Sequence, residues 1–405
     1  MAPTLRKAAG GPAVGKPAKS GAKASQSTEA FQMADGNKKR PFSPEPSRSS
    51  VQIIKRAAAQ AKAAGPPSPP PEVPSEPGIY KKINKGALKT RLIKEFHVEA
   101  NIVDVILCSI LETPPGVKFE DVVGQDPAVK LLRERVVYPA LNPNLFNGQK
   151  FLRPPRGVLL FGPTGNGKTL LAKACAAQTN YNFMNLTASV LVSKWVGDSE
   201  KLIKIMFACA NCIQPCIIFI DEIDAVLSTR TSSERDDSRR FKNEFLTHFD
   251  GLLCNHDDRV MVLGATNLPQ AIDTAALRRF DLRIFLGPPD IFAREILLRR
   301  MLKEIRHAMT PQEINWIAER SEQYSASDLG VVTRNAAWLP LGTIDPTRIP
   351  HLQESEIPLI RSSDFRRVMD SFVPSGYQDD LRIIEQWTNR NRRCHGRNSD
   401  GLDVV

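Results

Sequence analysis

Eight residues, GPTGNGKT from Gly162 to Thr169, constrain this chain more than any other feature, because they satisfy G-x-x-x-x-G-K-[ST] in full. They stand between an apolar run, GVLLF at 157–161, and a helical stretch beginning near Lys168. A strand, a glycine-rich turn and a helix start in that order make an anion cradle. Glycine lets the backbone curl closely, successive N–H groups point inward, and the helix end adds partial positive charge. Gly162, Pro163, Thr164, Gly165, Asn166, Gly167 and Leu170 are therefore expected to line a bound nucleotide, with Lys168 reaching its β- and γ-phosphates. Thr169 offers a hydroxyl oxygen to Mg²⁺, which favours hard oxygen ligands and keeps several waters.

About fifty residues on, CIIFIDEID runs from Cys216 to Asp224. Four apolar residues suit a strand buried on both faces, and the carboxylates at its end can divide the work. Asp221 is expected to hold the Mg²⁺ hydration shell. Glu222 is expected to polarise a water for in-line attack on phosphorus, which needs an ionised carboxylate at hydrogen-bond distance.

Strand and helix patterns alternate through this region: GVLLF, YNFMNLT, CIIFI, VMVLGAT and LRIFLG are separated by helical stretches. The alternation predicts an α/β fold, a parallel five-stranded sheet sandwiched by helices with the phosphate site at strand C-terminal ends. Beyond Pro288-Pro289 the strand signals vanish and a small helical domain is expected. The resulting map has a disordered basic tail over 1–86, a linker helix over 87–113, the α/β domain over 114–289, the small helical domain with a C-terminal helix over 290–390, and an extension over 391–405.

Charge sets the tail apart. Residues 1–100 hold 18 Lys+Arg against 7 Asp+Glu, a surplus equal to the +11 of the whole chain. With PPSPPPEVP at 66–74 and few large apolar residues, this quarter cannot offset chain entropy. A basic tail of this kind seeks a polyanion: nucleic acid, an anionic membrane or an acidic protein polymer. NKKRPFSP at 37–44 has the composition of a nuclear-import patch, although so short a pattern recurs by chance. No run approaches 18 apolar residues, so no membrane span is predicted, and the seven cysteines resemble reduced thiols of an intracellular protein.

The motifs taken together go further. DVVGQD (121–126), GPTGNGKT, SKWVGDSEK (193–201), IIFIDEID, DDSRRFKNEFL (236–246), GATNLPQAID (264–273), LRRF (277–280) and YSASDL (324–329) resemble the AAA ATPases, in their microtubule-severing and endosomal-sorting branch. The resemblance spans about 98–387. It implies ATP with Mg²⁺ as cofactors and a homohexamer assembled on ATP binding. Tubulin and microtubules are the implied partners, with no nucleic acid expected, and the implied location is the cytoplasm and cytoskeleton. Val123 and Gly124 match the adenine contact, Ser327 and Asp328 the second sensor region, and Asn267 the sensor amide. Arg278 and Arg279 match the arginine fingers that a neighbouring subunit presents. Lys194, Trp195 and Val196 match the aromatic pore loop, with Arg235, Arg239 and Arg240 near a second pore loop that also carries Glu234 and Asp236. Ala326 stands where that family has glycine, and Thr164 where it has proline. Residues 1–80 support neither the three-helix interaction domain nor the membrane hairpin found in such proteins, and the basic C-terminal extension is longer than they lead one to expect. The basic segment 38–94 is expected to hold the enzyme on a microtubule while the pore pulls the acidic tubulin tail. Two alternatives stay open on sequence: a disassembly ATPase for membrane-remodelling polymers, and a microtubule binder that does not sever.

Overall fold

Every strand of the central sheet is parallel to its neighbours, and the order β2-β3-β4-β1-β5 places the phosphate-loop strand between two others. The strands are β1 Gly157–Phe161, β2 Asn182–Thr187, β3 Cys216–Asp221, β4 Val260–Thr266 and β5 Leu282–Phe285. The computed structural model describes residues 83–391 apart from 114, 147–151, 194–198, 230–235, 255–258 and 376–377. The tail before residue 83, the pore residues Lys194, Trp195, Val196 and Arg235, and the extension after 391 lie outside the described residues.

Most strand residues are apolar, β1 and β4 almost without interruption, because helices cover both faces of the sheet. Alternate side chains go opposite ways. Val158, Leu160, Ile217, Phe219, Leu263 and Ile284 pack with Ala172, Cys175 and Ala176 of α4 (Lys168–Thr179) and Leu132 of α3 (Asp126–Leu132). Leu159, Ile218, Ile220 and Val262 pack on the other face with Leu202 and Met206 of α5 (Ser199–Cys212) and Phe245 and Phe249 of α6 (Asp236–Cys254).

The single linker helix expected over 87–113 is two helices, α1 (Lys85–Phe96) and α2 (Ala100–Ser109). His97 separates them in the left-handed region at φ 49°. Neither behaves as a linker. Leu88, Leu92, Ile102, Val103 and Ile106 join the same core as α5, Ile110 bridges Met184 on the open edge of β2, and the Leu111 N–H donates to the Phe183 carbonyl at 3.0 Å. The pair is part of the α/β body, where it covers an otherwise unpaired sheet edge.

The helical domain is built from α7 (Ile291–Leu302), α8 (Pro311–Arg320), α9 (Ala326–Trp338) and α10 (Ser362–Met369) around Leu298, Leu302, Ile317, Leu329, Val332 and Phe365. Reciprocal caps start two of these helices: Thr310 with Glu313, and Ser325 with Asp328. The last helix, α11 (Gln378–Asn391), departs from expectation. Its buried Ile384 and its Trp387 leave the helical core and pack on Phe161 at the end of β1. Among the described residues no helix is long and apolar enough to cross a membrane.

Candidate nucleotide site

The ends of β1, β3 and β4 converge on one site, and backbone bonds set their relative height. The Gly162 N–H donates to the Thr266 carbonyl at 3.3 Å, and the Leu286 N–H donates to the Phe161 carbonyl at 2.8 Å. From there the loop turns over Gly165 and Gly167, both with positive φ (79° and 83°), and enters α4. A methyl group added at Gly167 would meet nothing within 4 Å, so this side of the loop is open. Gly165 is the reverse. A Cβ there would lie 2.6 Å from the Ser325 hydroxyl and 2.8 Å from Ser327 Cβ, and its carbonyl accepts the Ser327 N–H at 3.2 Å. The helical domain thus rests directly on the phosphate loop.

Lys168 is buried, and its ammonium donates to the carbonyls of Gly162 and Pro163 at 2.9 and 2.8 Å. Burial lowers its pKa to about 8, against the raising influence of Asp221 and Asp224. The Thr169 hydroxyl donates to Asp221 Oδ2 at 2.9 Å, which brings two hard oxygens from different elements together. Asp221 Oδ1 accepts the Glu222 N–H at 3.0 Å. Glu222 itself has φ 53°, a left-handed conformation that a side-chain-bearing residue adopts at some cost, and its carboxylate is exposed beyond the strand end.

Asp224, which the sequence reading passed over, holds the next turn. It accepts the Thr266 hydroxyl at 2.6 Å, and that oxygen accepts the Leu268 N–H at 2.9 Å. Asn267 is the residue fixed between them. The Asn267 amide oxygen is buried without a partner, as are both amide atoms of Asn166. Orphaned polar atoms in a native site call for a ligand or water. The oxygen pair Thr169–Asp221, the cationic Lys168, the open face at Gly167 and these amides together fit a nucleoside triphosphate with Mg²⁺. Thr169 and Asp221 are the residues that would hold the ion.

The Val123–Gly124 segment is pressed against the hinge between the two domains. Gly124 has φ 77°, and a Cβ there would lie 2.7 Å from Ala293 Cβ. Gln125 Nε2 donates to the Gly287 carbonyl at 2.8 Å, and Arg300 donates to the Glu120 carbonyl at 2.7 Å. Of the second-sensor pair, Ser327 stays against Gly165, but Asp328 is turned away. Its carboxylate accepts the Ser325 N–H and hydroxyl at 2.9 and 2.8 Å and the Ser375 N–H at 3.3 Å, so it stabilises the start of α9 rather than facing a nucleotide.

The two adjacent arginines also diverge. Arg279 donates through Nε to Asp250 Oδ1 at 2.6 Å and through Nη2 to Oδ2, a bidentate pair that raises its pKa, and it donates to the Ala275 carbonyl at 2.7 Å. Arg278 is exposed, its backbone N–H donates to the Thr274 carbonyl at 3.2 Å, and its guanidinium has no hydrogen bond or ion pair among the described residues. Their place in the sheet matters more. A Cβ on Gly157, at the start of β1, would lie 2.4 Å from the Arg279 carbonyl, whereas the phosphate loop leaves the far end of that strand after Phe161. Four residues of strand separate them by about 13 Å along its axis. Arg278 cannot complete the phosphate site of its own chain. Arg239 and Arg240 are exposed near the start of α6.

The model of the ATPase family associated with various cellular activities (AAA) matches residues 158–288. Spastins from Gallus gallus and Homo sapiens are each 42% identical over 291 residues, 72% of this chain and 47% of theirs. Spastin from Dictyostelium discoideum is 42% identical over 72% of this chain and 44% of its own. The chain therefore spans about half the length of the curated relatives it matches. Among solved structures, the FIGL-1 AAA domain in complex with ADP is 36% identical at a TM-score of 0.66, covering 73% of this chain and 97% of that domain. A katanin structure described by its self-assembly is 31% identical at a TM-score of 0.61, covering 72% and 97%.

Proposed function

The chain belongs to the AAA ATPase family, and from that premise we propose that it is an ATP-driven microtubule-severing enzyme that works as a homohexamer. The observation that carries the assembly is the position of Arg278, exposed, unpaired and at the opposite end of β1 from the loop. A guanidinium so placed serves the site of a neighbouring copy. A head-to-tail contact of this kind closes into a ring when the rotation between copies closes.

Within one site the geometry supports a set of roles. The loop N–H groups and Lys168 hold the β- and γ-phosphates, and Thr169 and Asp221 supply oxygens to Mg²⁺, which offsets phosphate charge when bound. Glu222 takes the proton of the attacking water, and Asn267 orients that water without competing as a base. Arg278 of the next copy offsets charge on the transferring phosphoryl group.

Severing rests on the relatives. An alignment of 291 residues in a chain of 405 must include 115–291, so the likeness to spastins runs through Lys194, Trp195, Val196 and the finger segment. In a ring these pore residues would grip an acidic tubulin tail, helped by Arg235, Arg239 and Arg240. The basic tail would hold the lattice meanwhile. The described part of 38–94 contributes less to that hold, because Lys85, Lys89 and Arg91 already pair with Glu112, Asp104 and Glu95.

Fluorescent microtubules tethered to glass test the reading directly. Internal breaks that require ATP are expected, and Glu222→Gln should decorate filaments without cutting them. Robust ATP turnover with intact filaments would instead favour the disassembly of another polymer.

A further inference from the structure

The C-terminal helix makes a contact that the nucleotide site as described does not use. The indole of Trp387 on α11 stands edge-on to the ring of Phe161, with centroids 5.1 Å apart and planes at 71°. Phe285 lies 5.6 Å from the same ring, and Ile384, one turn before Trp387, completes the cluster. Phe161 is fully buried, and it is the residue immediately before Gly162. The same helix also lies against the turn Pro269–Ala271, which begins two residues beyond Asn267. One element therefore touches both the strand end that launches the phosphate loop and the turn that follows the sensor amide.

That arrangement has a mechanical consequence. Edge-to-face aromatic pairs fix ring orientation as well as burying area, and a close-packed cluster transmits displacement instead of absorbing it. Removing the indole would loosen the packing of the Phe161 ring, and with it the strand end whose backbone bonds hold Gly162 level with Thr266 beside Asn267. Misplacing reacting groups by about 1 Å costs about a hundredfold in rate. We propose that Trp387 is a positioning residue for ATP hydrolysis, holding the phosphate loop and Asn267 in register through Phe161 and the 269–271 turn. This inference rests on ATP turnover alone, so wild-type turnover without filament severing removes the severing reading and leaves it standing.

Steady-state ATPase assays on the full chain test it, with ring assembly followed in parallel by mass photometry. Trp387→Ala is expected to lower kcat at least fivefold, roughly, with KM for ATP within about threefold of wild type. Trp387→Phe, which keeps an edge-to-face ring, should retain about half of kcat or more, and Ile383→Ala, on the exposed face of the same helix, should match wild type. Should Trp387→Ala prove insoluble, Trp387→Leu replaces it: kcat well below that of the Phe variant supports positioning, and equality overturns it. Two further results overturn it: a kcat loss that disappears when assembled fractions are matched, or a lowered Tm with unchanged kcat.

Discussion

The phosphate loop and the finger segment leave opposite ends of the same strand pair, and they differ in how their charges are satisfied. In the loop, Lys168 and Thr169 find partners inside the site: the Gly162 and Pro163 carbonyls and Asp221. In the finger segment one arginine is locked to Asp250 while its neighbour is left outward and bare. The first region is complete for binding within one chain. Under the proposed function the second acts only on another chain, which would make binding a property of the subunit and hydrolysis a property of the assembly.

Substitutions break or sharpen that contrast in order of size. Glu222→Gln should reduce ATP turnover by about a thousandfold or more while ATP stays bound, as read by retained nucleotide after gel filtration. Arg278→Ala should lower turnover by about a hundredfold to a thousandfold, with ADP affinity of the isolated subunit changed less than about twofold. Equal loss of subunit affinity would erase the division between the regions.

The buried lysine gives a pH test. Phosphates favour charged Lys168, whose pKa without ligand is lowered to about 8, so binding takes up a proton above that value. ADP affinity measured without added divalent cation should be flat below pH 8 and fall towards tenfold per unit above it. The linked stability has the opposite trend. Below pH 8 the lysine is charged folded and unfolded, and the fold carries the burial cost; that cost is relieved as pH rises from about 8 to the ordinary 10.5. The smallest effect belongs to Arg279. Its pair with Asp250 is partly exposed, so Asp250→Ala should cost about 1 kcal/mol and a few degrees of Tm. Its turnover should fall less than that of Arg278→Ala.

Much of this was legible in the sequence where one local rule suffices. The strands declared themselves because both their faces are covered and so most of their residues are apolar, and the loop because glycines and Lys168 sit at fixed offsets. What escaped depends on partners distant in the chain. Nothing in LRRF separates Arg278 from Arg279, because the difference is made by Asp250, some thirty residues earlier. Asp328 sits three residues after Ser325 in a capping pattern, a signal present in the sequence but outweighed by the family resemblance. One helix was expected over 87–113, but His97 carries no obvious breaker signature, so the split into α1 and α2 was invisible. In the sequence Trp387 only closes the stretch that carries the family resemblance. Only the fold brings it to Phe161.

Mixing two inactive variants tests the central claim most directly. Lys168→Ala keeps Arg278 but cannot hold phosphate, and Arg278→Ala keeps the loop but has no finger to give. Each alone should be nearly inert, and an equimolar mixture should recover about a quarter of wild-type turnover, since half the sites keep Lys168 and half of those face an intact Arg278. A mixture no more active than its components would show that Arg278 does not act on a neighbour's nucleotide.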